Sequence, residues 1–519
     1  MVLSVSFFEG VVSDHLPDRS SADLLVQIDP RSRVGLQQQI YSSIRRAILD
    51  GVLRQGARLP SSRALADDLR VSRTTTLLAY DQLQAEGYLN ARHGSGTFVA
   101  GDLPDERPRL VLPRRHRRPI HPPLSRRGSA LVATPPPACR LAGPPKAFRI
   151  GVPALDLFPV RLWSQLAARR LRNVTVAQLD YGDALGFAPL REAIANHVEV
   201  ARGTRCTGDQ IVIVAGAQRG IEMVCQLLMD PGDAAWLEEP GYPGARIALT
   251  GAGARIVPVR VDEEGLDVAA GAQQAPEARL VYVTPSHQFP AGVQMSLRRR
   301  LALLNWASRA RAWIVEDDYD SEFRYAARPI PSLHGLDPDG RVIYVGSFSK
   351  SLFPALRLGF VVVPPDLVSK VHDMRRAADV HPPALDQVVL ADFISGGHYE
   401  RHLRRMRAAY RERLEGLSAG LDRHCRGALT LRTVRTGLHA VADVDHADAV
   451  DVARECAARG VEVTPISSYY LGREKAANAI VIGFASVRTE AIRTGTERLA
   501  EAVDASRRRT ERAAYRVRK

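Results

Sequence analysis

The sequence predicts two unlike folds in one chain: a small α+β unit near the N-terminus and a large α/β domain with a mostly parallel sheet. Three observations point there. From Leu36, apolar residues recur at helical spacing in short stretches, and a two-strand pattern follows them. From Phe148 onward, apolar strand-like runs alternate with helical ones, the pattern of a sheet with crossover helices. Between them, residues 101–146 are rich in proline and arginine and cannot bury a core.

Bulk properties narrow the class. A chain of 519 residues is long enough for more than one core. Its net charge of +14 favours nucleic acid or another polyanion as partner, although basic solvated faces have the same effect. The five cysteines (Cys139, Cys206, Cys225, Cys425, Cys456) are scattered and lack metal-ligand spacing, so neither a disulfide framework nor a zinc site is expected. No run approaches ~20 apolar residues and no secretory leader pattern opens the sequence, so a cytoplasmic protein without membrane contact is expected.

Residues 1–30 read as an extension, and the first domain is placed at 31–100. Leu36, Ile40, Ile44 and Ile48 recur every four residues, and Gly51 stops that helix. Leu59-Pro60-Ser61-Ser62 supplies a proline and N-cap residues before a short helix carrying Leu65 and Leu69. A turn at Arg70-Val71 leads to Ser72, a second N-cap, and a helix that closes near Gly87. Two short helices joined by a tight turn match the helix-turn-helix plan, whose second helix enters the major groove by its N-terminal residues. Those residues are Ser72, Arg73, Thr74 and Thr75. Arginine bonds guanine edges or phosphates, and threonine meets phosphates or thymine methyls. Tyr88 to Val99 then read as two strands around a glycine-rich tip, a wing whose His93-Gly94 would reach the DNA backbone or minor groove.

These residues resemble the winged-helix domain of GntR-family regulators, through Leu59-Pro60-Ser61-Ser62-Arg63, Val71-Ser72-Arg73-Thr74-Thr75 and Gly94-Ser95-Gly96-Thr97-Phe98-Val99. The resemblance implies DNA contacts from Arg63, Arg73, Thr74 and the His93-Gly94 tip. Residues 101–146 follow as an extended linker, spanning roughly 40 Å if flexible. Its Arg114-Arg115-His116-Arg117-Arg118 run would add non-specific phosphate attraction.

The large domain is placed at 147–505, with a basic tail at 506–519. The strand Gln210–Ala215 runs into Gly216-Ala217-Gln218 and a helix, a turn whose backbone amides suit an anion. Tyr242, in Glu238-Glu239-Pro240-Gly241-Tyr242-Pro243, either stacks on a planar ring or packs in the core. The strand Ala312–Val315 leads into the carboxylate cluster Glu316-Asp317-Asp318-Tyr319-Asp320, which would hold an acid against a cationic partner or, alternatively, a metal. Val342-Ile343-Tyr344-Val345 leads to Ser347-Phe348-Ser349-Lys350, with Arg357 close behind. An ammonium beside apolar strands is costly unless its charge is removed or paired, and a Schiff base removes it. A surface lysine is the plainer alternative. All these loops follow strands, where open α/β sheets place ligands, so an anion turn, an aromatic, an acid and a lysine would share one site.

The constellation resembles the fold type I aminotransferase domain, which depends on pyridoxal 5'-phosphate. With the first domain it resembles the MocR/GabR subfamily of GntR regulators, on Thr284-Pro285-Ser286-His287-Gln288-Phe289-Pro290, Glu316 to Tyr325 and Ser347-Phe348-Ser349-Lys350. That resemblance implies that Lys350 forms the internal aldimine and Asp317 pairs with the pyridine nitrogen. Tyr319 would bond the phenolic oxygen with His287 near that edge, and Tyr242 would stack on the ring. Gly216, Ala217, Gln218, Ser347 and Arg357 would hold the phosphate, and Tyr181 would reach the partner subunit's phosphate. It also implies a head-to-tail homodimer on a double-stranded DNA operator, sensing the cofactor or an amine or amino-acid effector. An active aminotransferase carrying a DNA-binding domain is the alternative. One position departs from the pattern. Val481, in Ala479-Ile480-Val481-Ile482-Gly483-Phe484-Ala485, stands where an arginine is expected to clamp a ligand carboxylate, with Arg246 or Arg435 as substitutes.

Overall fold

The computed structural model describes residues 26, 28–92, 94–103, 124–134, 146–325, 330–472 and 476–517. The chain divides into two compact units, Met1–His121 and Pro122–Lys519.

The first unit holds helices α1 (Leu36–Leu49), α2 (Ser62–Leu69) and α3 (Arg73–Ala85) and the antiparallel strands β1 (Leu89–Arg92) and β2 (Gly96–Val99). Its core forms where the helical period predicts, from Ile40, Ile44, Leu65, Ala79, Leu83 and Val99. Both short helices are capped as serine requires: Ser61 Oγ accepts from Ala64 N at 3.1 Å, and Ser72 Oγ accepts from Thr75 N at 3.1 Å. The angle between them is fixed by the buried Thr76, whose hydroxyl donates to Ser62 O at 2.7 Å. Within the expected extension 1–30, residues 1–25 and 27 lie outside the described residues, but Val26 is buried in this core.

The second unit begins with a difference from the expected linker. Of residues 101–146, those at 104–123 and 135–145 lie outside the described residues, but Arg126–Ala133 forms helix α4. The interval 124–134 is free of proline, and Ser125 caps the helix by accepting from Gly128 N at 2.9 Å. Pro135 forces Thr134 out of helical geometry and ends it. Helix α4 packs on the helix Pro243–Ala252, with Leu131 against Gly251.

The strands that follow are β3 (Ile211–Val214), β4 (Ala234–Glu239), β5 (Arg255–Asp262), β6 (Gly265–Leu266), β7 (Leu280–Val283), β8 (Trp313–Asp318), β9 (Val342–Ser347) and β10 (Gly359–Val362). They form one sheet in the order β3-β10-β9-β8-β7-β4-β5-β6. The run β9-β8-β7-β4-β5 is parallel, while β10 is antiparallel to both its neighbours and β6 to β5. Both faces are covered, which explains the unbroken apolar runs: on β9, Ile343 and Val345 enter one core, while Val342 and Tyr344 enter cores on the other side.

Four further strands, β11 (Leu429–Leu431), β12 (His439–Val444), β13 (Thr464–Pro465) and β14 (Ala479–Gly483), make an antiparallel sheet in the order β11-β12-β14-β13. The expected tail at 506–519 is corrected here, because its described part continues the helix Thr489–Val517. Leu499, Ala502, Val503 and Ser506 are buried at helical spacing and pack this helix against His398–His424. The arginines at 507–509 therefore extend an amphipathic helix.

Candidate functional site

Parallel strands place their carboxyl ends on one edge of the sheet, and a cavity of the second unit opens there. Each strand delivers its residues from the loop that follows. After β3 come Ala217 and Gln218, after β4 Tyr242, after β7 Thr284 and Phe289, after β8 Tyr319, and after β9 Ser349 and Lys350. Asp317 and Ser347 line it from the strand ends themselves.

The lysine sits in the short helix Phe348–Ser351 and is half-buried, and its Nζ donates to Gly151 O at 2.6 Å. Asp317 is buried on β8. Its Oδ2 accepts from Tyr282 Oη at 2.6 Å, whereas Oδ1 has no hydrogen-bond partner. Burial pushes this carboxyl up to about 7, against the Tyr282 hydrogen bond that favours its charged form. Tyr319 Oη lies 3.0 Å from His287 Nδ1 and donates to His287 O at 2.8 Å, and burial holds its phenol well above the usual range. His287 in turn is held by Asp320, with Nδ1 to Oδ2 at 3.0 Å.

At the anion end, Gly216 caps the helix Ala217–Leu228 at φ 84°, leaving the first amides of that helix open. A Cβ at Gly216 would come within 3.0 Å of the Arg357 guanidinium, so glycine lets Arg357 lie across the turn. Arg357 donates to Ala215 O at 2.7 Å. Ser347 caps its own short helix by accepting from Ser349 N at 3.2 Å. Among the described residues, Arg357 is the one guanidinium lining this cavity.

Eight of the ten cofactor residues expected from the sequence line this one cavity: Ala217, Gln218, Tyr242, Asp317, Tyr319, Ser347, Lys350 and Arg357. Gly216 and His287 stand behind the wall, the first under Arg357 and the second under Tyr319. Tyr181 lies outside it, 80% exposed, with its ring edge-on to His381 at 5.9 Å. Val481 is fully buried on β14. Of its suggested substitutes, Arg435 is exposed, and Arg246 lies beside Glu239 in an adjoining pocket.

Several wall residues escaped the sequence reading. Tyr282 holds the buried acid Asp317, His439 and Leu438 close the side nearest β12, and Phe289 packs edge-on to Tyr242 at 5.7 Å. A tyrosine with its polar tip inside an apolar strand was the available signal for Tyr282. His439 has none, since a lone histidine opening a strand reads as core.

The first unit presents the other predicted residues at its surface. Arg63, Ser72, Arg73, Thr74 and Gly94 are exposed, and Thr75 is half-buried with its hydroxyl 2.8 Å from Ser72 Oγ. Gly94 takes φ 76° at the wing turn. His93 lies outside the described residues. Arg58, which was not singled out in the sequence, stands beside the wing with its Nε 3.1 Å from where a Cβ on Gly96 would be.

The family model for aminotransferase class I and II matches residues 151–499, and that for bacterial regulatory proteins of the gntR family matches residues 36–99. The chain is 39% identical to the probable rhizopine catabolism regulatory protein MocR of Rhizobium meliloti, over 92% of this chain and 96% of that one. It is 35% identical to the HTH-type transcriptional regulator TauR of Rhodobacter capsulatus, over 91% and 98%. The HTH-type pyridoxine biosynthesis transcriptional regulator PdxR of Corynebacterium glutamicum matches at 32% over 93% and 99%. Among solved structures, Pyrococcus horikoshii kynurenine aminotransferase in complex with PMP is 27% identical, with a TM-score of 0.64 over 69% of this chain and 90% of that one. Fold and relatives together define a helix-turn-helix transcriptional regulator with an aminotransferase-like domain. The chain belongs to the MocR subfamily of GntR-family transcriptional regulators. No helix of the described residues is long and apolar enough to cross a membrane.

Proposed function

We propose that this regulator holds pyridoxal 5'-phosphate in the Lys350 cavity, reads a small amine there, and couples that event to DNA binding through the first unit. The observation that carries the reading is the pairing of Lys350 with Asp317. A half-buried amine and a fully buried carboxylate oxygen without a partner line the same cavity. An unpaired buried acid is costly unless a ligand completes it, and a protonated pyridine nitrogen is such a ligand. The residues therefore fit the group.

Arg357, Ser347, Gln218 and the amides that begin at Ala217 would hold the phosphate, with Gly216 giving them room. Tyr242 would lie against the ring, and Tyr319, braced by His287 and Asp320, would turn its hydroxyl proton from the His287 carbonyl to the phenolic oxygen. When bound, the cofactor supplies an aldehyde that a lysine amine captures reversibly and an electron-poor ring. Lys350 would be the amine offered to that aldehyde, and when free its Nζ is held by the Gly151 carbonyl, so a competing small amine would favour that second position. A difference in affinity for that amine between two arrangements of the protein is what couples ligand to DNA. A homodimer fits the two-fold symmetry of helix-turn-helix operators.

Reconstituted protein is expected to show the visible band of a lysine-bound cofactor, and Lys350→Ala is expected to abolish it. An unchanged spectrum would remove Lys350 from the site. Turnover of amino acids with a keto acid at ordinary enzyme rates would favour a working aminotransferase instead.

On the DNA side, Arg63, Ser72, Arg73, Thr74, Thr75, His93 and Gly94 are the proposed contacts. Ser72 and Thr75 are already engaged in capping α3, so the exposed Arg73 and Thr74 are the freer readers. Arg73→Ala is expected to weaken operator binding by about 1–3 kcal/mol if Arg73 reads a base. A loss that is equal on operator and random DNA would reassign Arg73 to phosphate.

A further inference from the structure

The ligand side of the cavity has a definite chemistry. In the register of the small sheet, His439 pairs with Gly483 and Val441 with Val481. Residues two apart on a strand, and residues directly opposite on its neighbour, share a face. His439, Val441, Val481 and Gly483 therefore lie on one face, which meets the cavity at His439, while Val441 and Val481 are buried behind the wall residues Ile150 and Phe289. Its covering is apolar: Val441 and Val481 cluster with Ile150, Ile466 and Tyr469, and Phe289 packs against them. Ile150 and Phe289 continue the same surface into the cavity wall, and Leu438 adds an apolar side chain to that wall from the neighbouring position.

No positive charge is available on that wall among the described residues. His439 Nε2 bonds to Pro290 O at 3.1 Å, and burial, followed by the neighbouring His287, holds its pKa well below the usual range, so the ring is neutral. The two cations that line the cavity, Arg357 beside Ala215 O and Lys350 beside Gly151 O, are committed in the cofactor reading to the phosphate and the aldehyde. A ligand carboxylate set against Ile150, Phe289 and Leu438 would lose its water and gain no counter-charge.

We propose that the ligand read at this site is a primary amine that carries no carboxylate, and that the face built on Val441 and Val481 makes the discrimination. The inference rests on the cofactor reading of Lys350 given above. It separates this chain's ligand from the amino acids that an aminotransferase fold suggests.

The test begins with full-length protein reconstituted with pyridoxal phosphate and reduced with borohydride, after which the Lys350 peptide is weighed. Absence of the phosphopyridoxyl mass on Lys350 overturns both the cofactor reading and this inference. With that mass present, 2-phenylethylamine and isobutylamine are added before reduction, alongside phenylalanine and valine. Each protection is normalised to the same competition on free cofactor. The amines are expected to protect Lys350 at concentrations at least about tenfold lower than the matching amino acids, the direction set by unpaired carboxylate burial. Equal or better protection by the amino acids overturns this inference and leaves the cofactor reading standing.

A second arm uses Val481→Arg, which supplies the missing counter-charge and is expected to reverse the ranking. Arginine enters a fully buried position, so the variant is scored only when its circular dichroism is unchanged. A folded variant that still disfavours amino acids overturns the assignment to this face. The wild-type ranking decides the ligand class by itself.

Discussion

Asp317→Asn is expected to stabilise the cofactor-free protein at high pH while loosening the proposed hold on pyridoxal phosphate. Burial raises this carboxyl from 3.8 to about 7. The unfolded chain loses the proton near 3.8 and the folded one near 7. The stabilising contribution is therefore complete below about pH 4 and is lost as pH rises through about 7. Above that, the folded protein carries a buried charge whose Oδ1 has no partner. Asparagine keeps the acceptor for Tyr282 and removes the charge. Melting temperatures at about pH 5 and about pH 8 should show a larger advantage for the variant at the higher pH, because at pH 5 the loss has only begun. An equal difference at both would mean that Asp317 stays ionised throughout. Glu238, also buried and pushed up to about 7, acts in the same direction, so the slope is reduced and not abolished. In the proposed cofactor reading, affinity should fall as well, because a charge-assisted bond to the pyridine nitrogen would contribute about 1.5–3 kcal/mol, or roughly tenfold to a hundredfold.

Arg202→Met is expected to cost about 3–5 kcal/mol of folding stability, because it strands a buried acid. Arg202 ends the helix Ala188–Arg202. Its Nε donates to Asp318 Oδ2 at 2.6 Å, and its guanidinium also bonds Ser286 Oγ. Both side chains are almost wholly buried, and Tyr344 Oη donates to the same Asp318 oxygen at 2.7 Å. Burial opposes the arginine's charge, but Asp318 outweighs it, and Arg202 in turn keeps Asp318 ionised below the usual range. Without Arg202, three consecutive buried acids, Glu316, Asp317 and Asp318, remain at the end of β8. Denaturant midpoints should register the loss, and the double variant Arg202→Met with Asp318→Asn should recover much of it. A single-variant cost under about 1 kcal/mol would mean that water or a neighbouring cation reaches Asp318.

Why was the lining of the cavity legible while its supports were not? Lys350, Asp317, Tyr242 and Ala217 each follow or end a buried strand, and a polar residue just past an apolar run marks the carboxyl edge of a sheet. Arg202, Tyr282 and His439 carry no such mark. An arginine in the last turn of a helix reads as a response to the helix dipole, and an aromatic in a strand reads as core. Helix α4 was missed because flanking prolines dominated the composition of a segment whose middle contains none. The C-terminal helix was missed because arginines at 507–509 obscured the seam of small residues from Leu499 to Ser506. The reversed direction of β10 could have been read. The connection from Ser347 to Gly359 is shorter than the crossover a parallel neighbour needs.

That reversed strand has a further consequence. Because β10 lies antiparallel beside β9, with Ser347 opposite Gly359 and Val345 opposite Val361, residues 348–358 are clamped at both ends by neighbouring strands. Lys350 and Arg357 both belong to this clamped segment. The spacing between the amine and the guanidinium is thus a gauge set by local chain, untouched by how the rest of the domain settles. The wall from β12 and β14 comes from a separate sheet and has no part in that gauge. One half of the pocket measures the anchor, and the other half is free to be rewritten for a different guest.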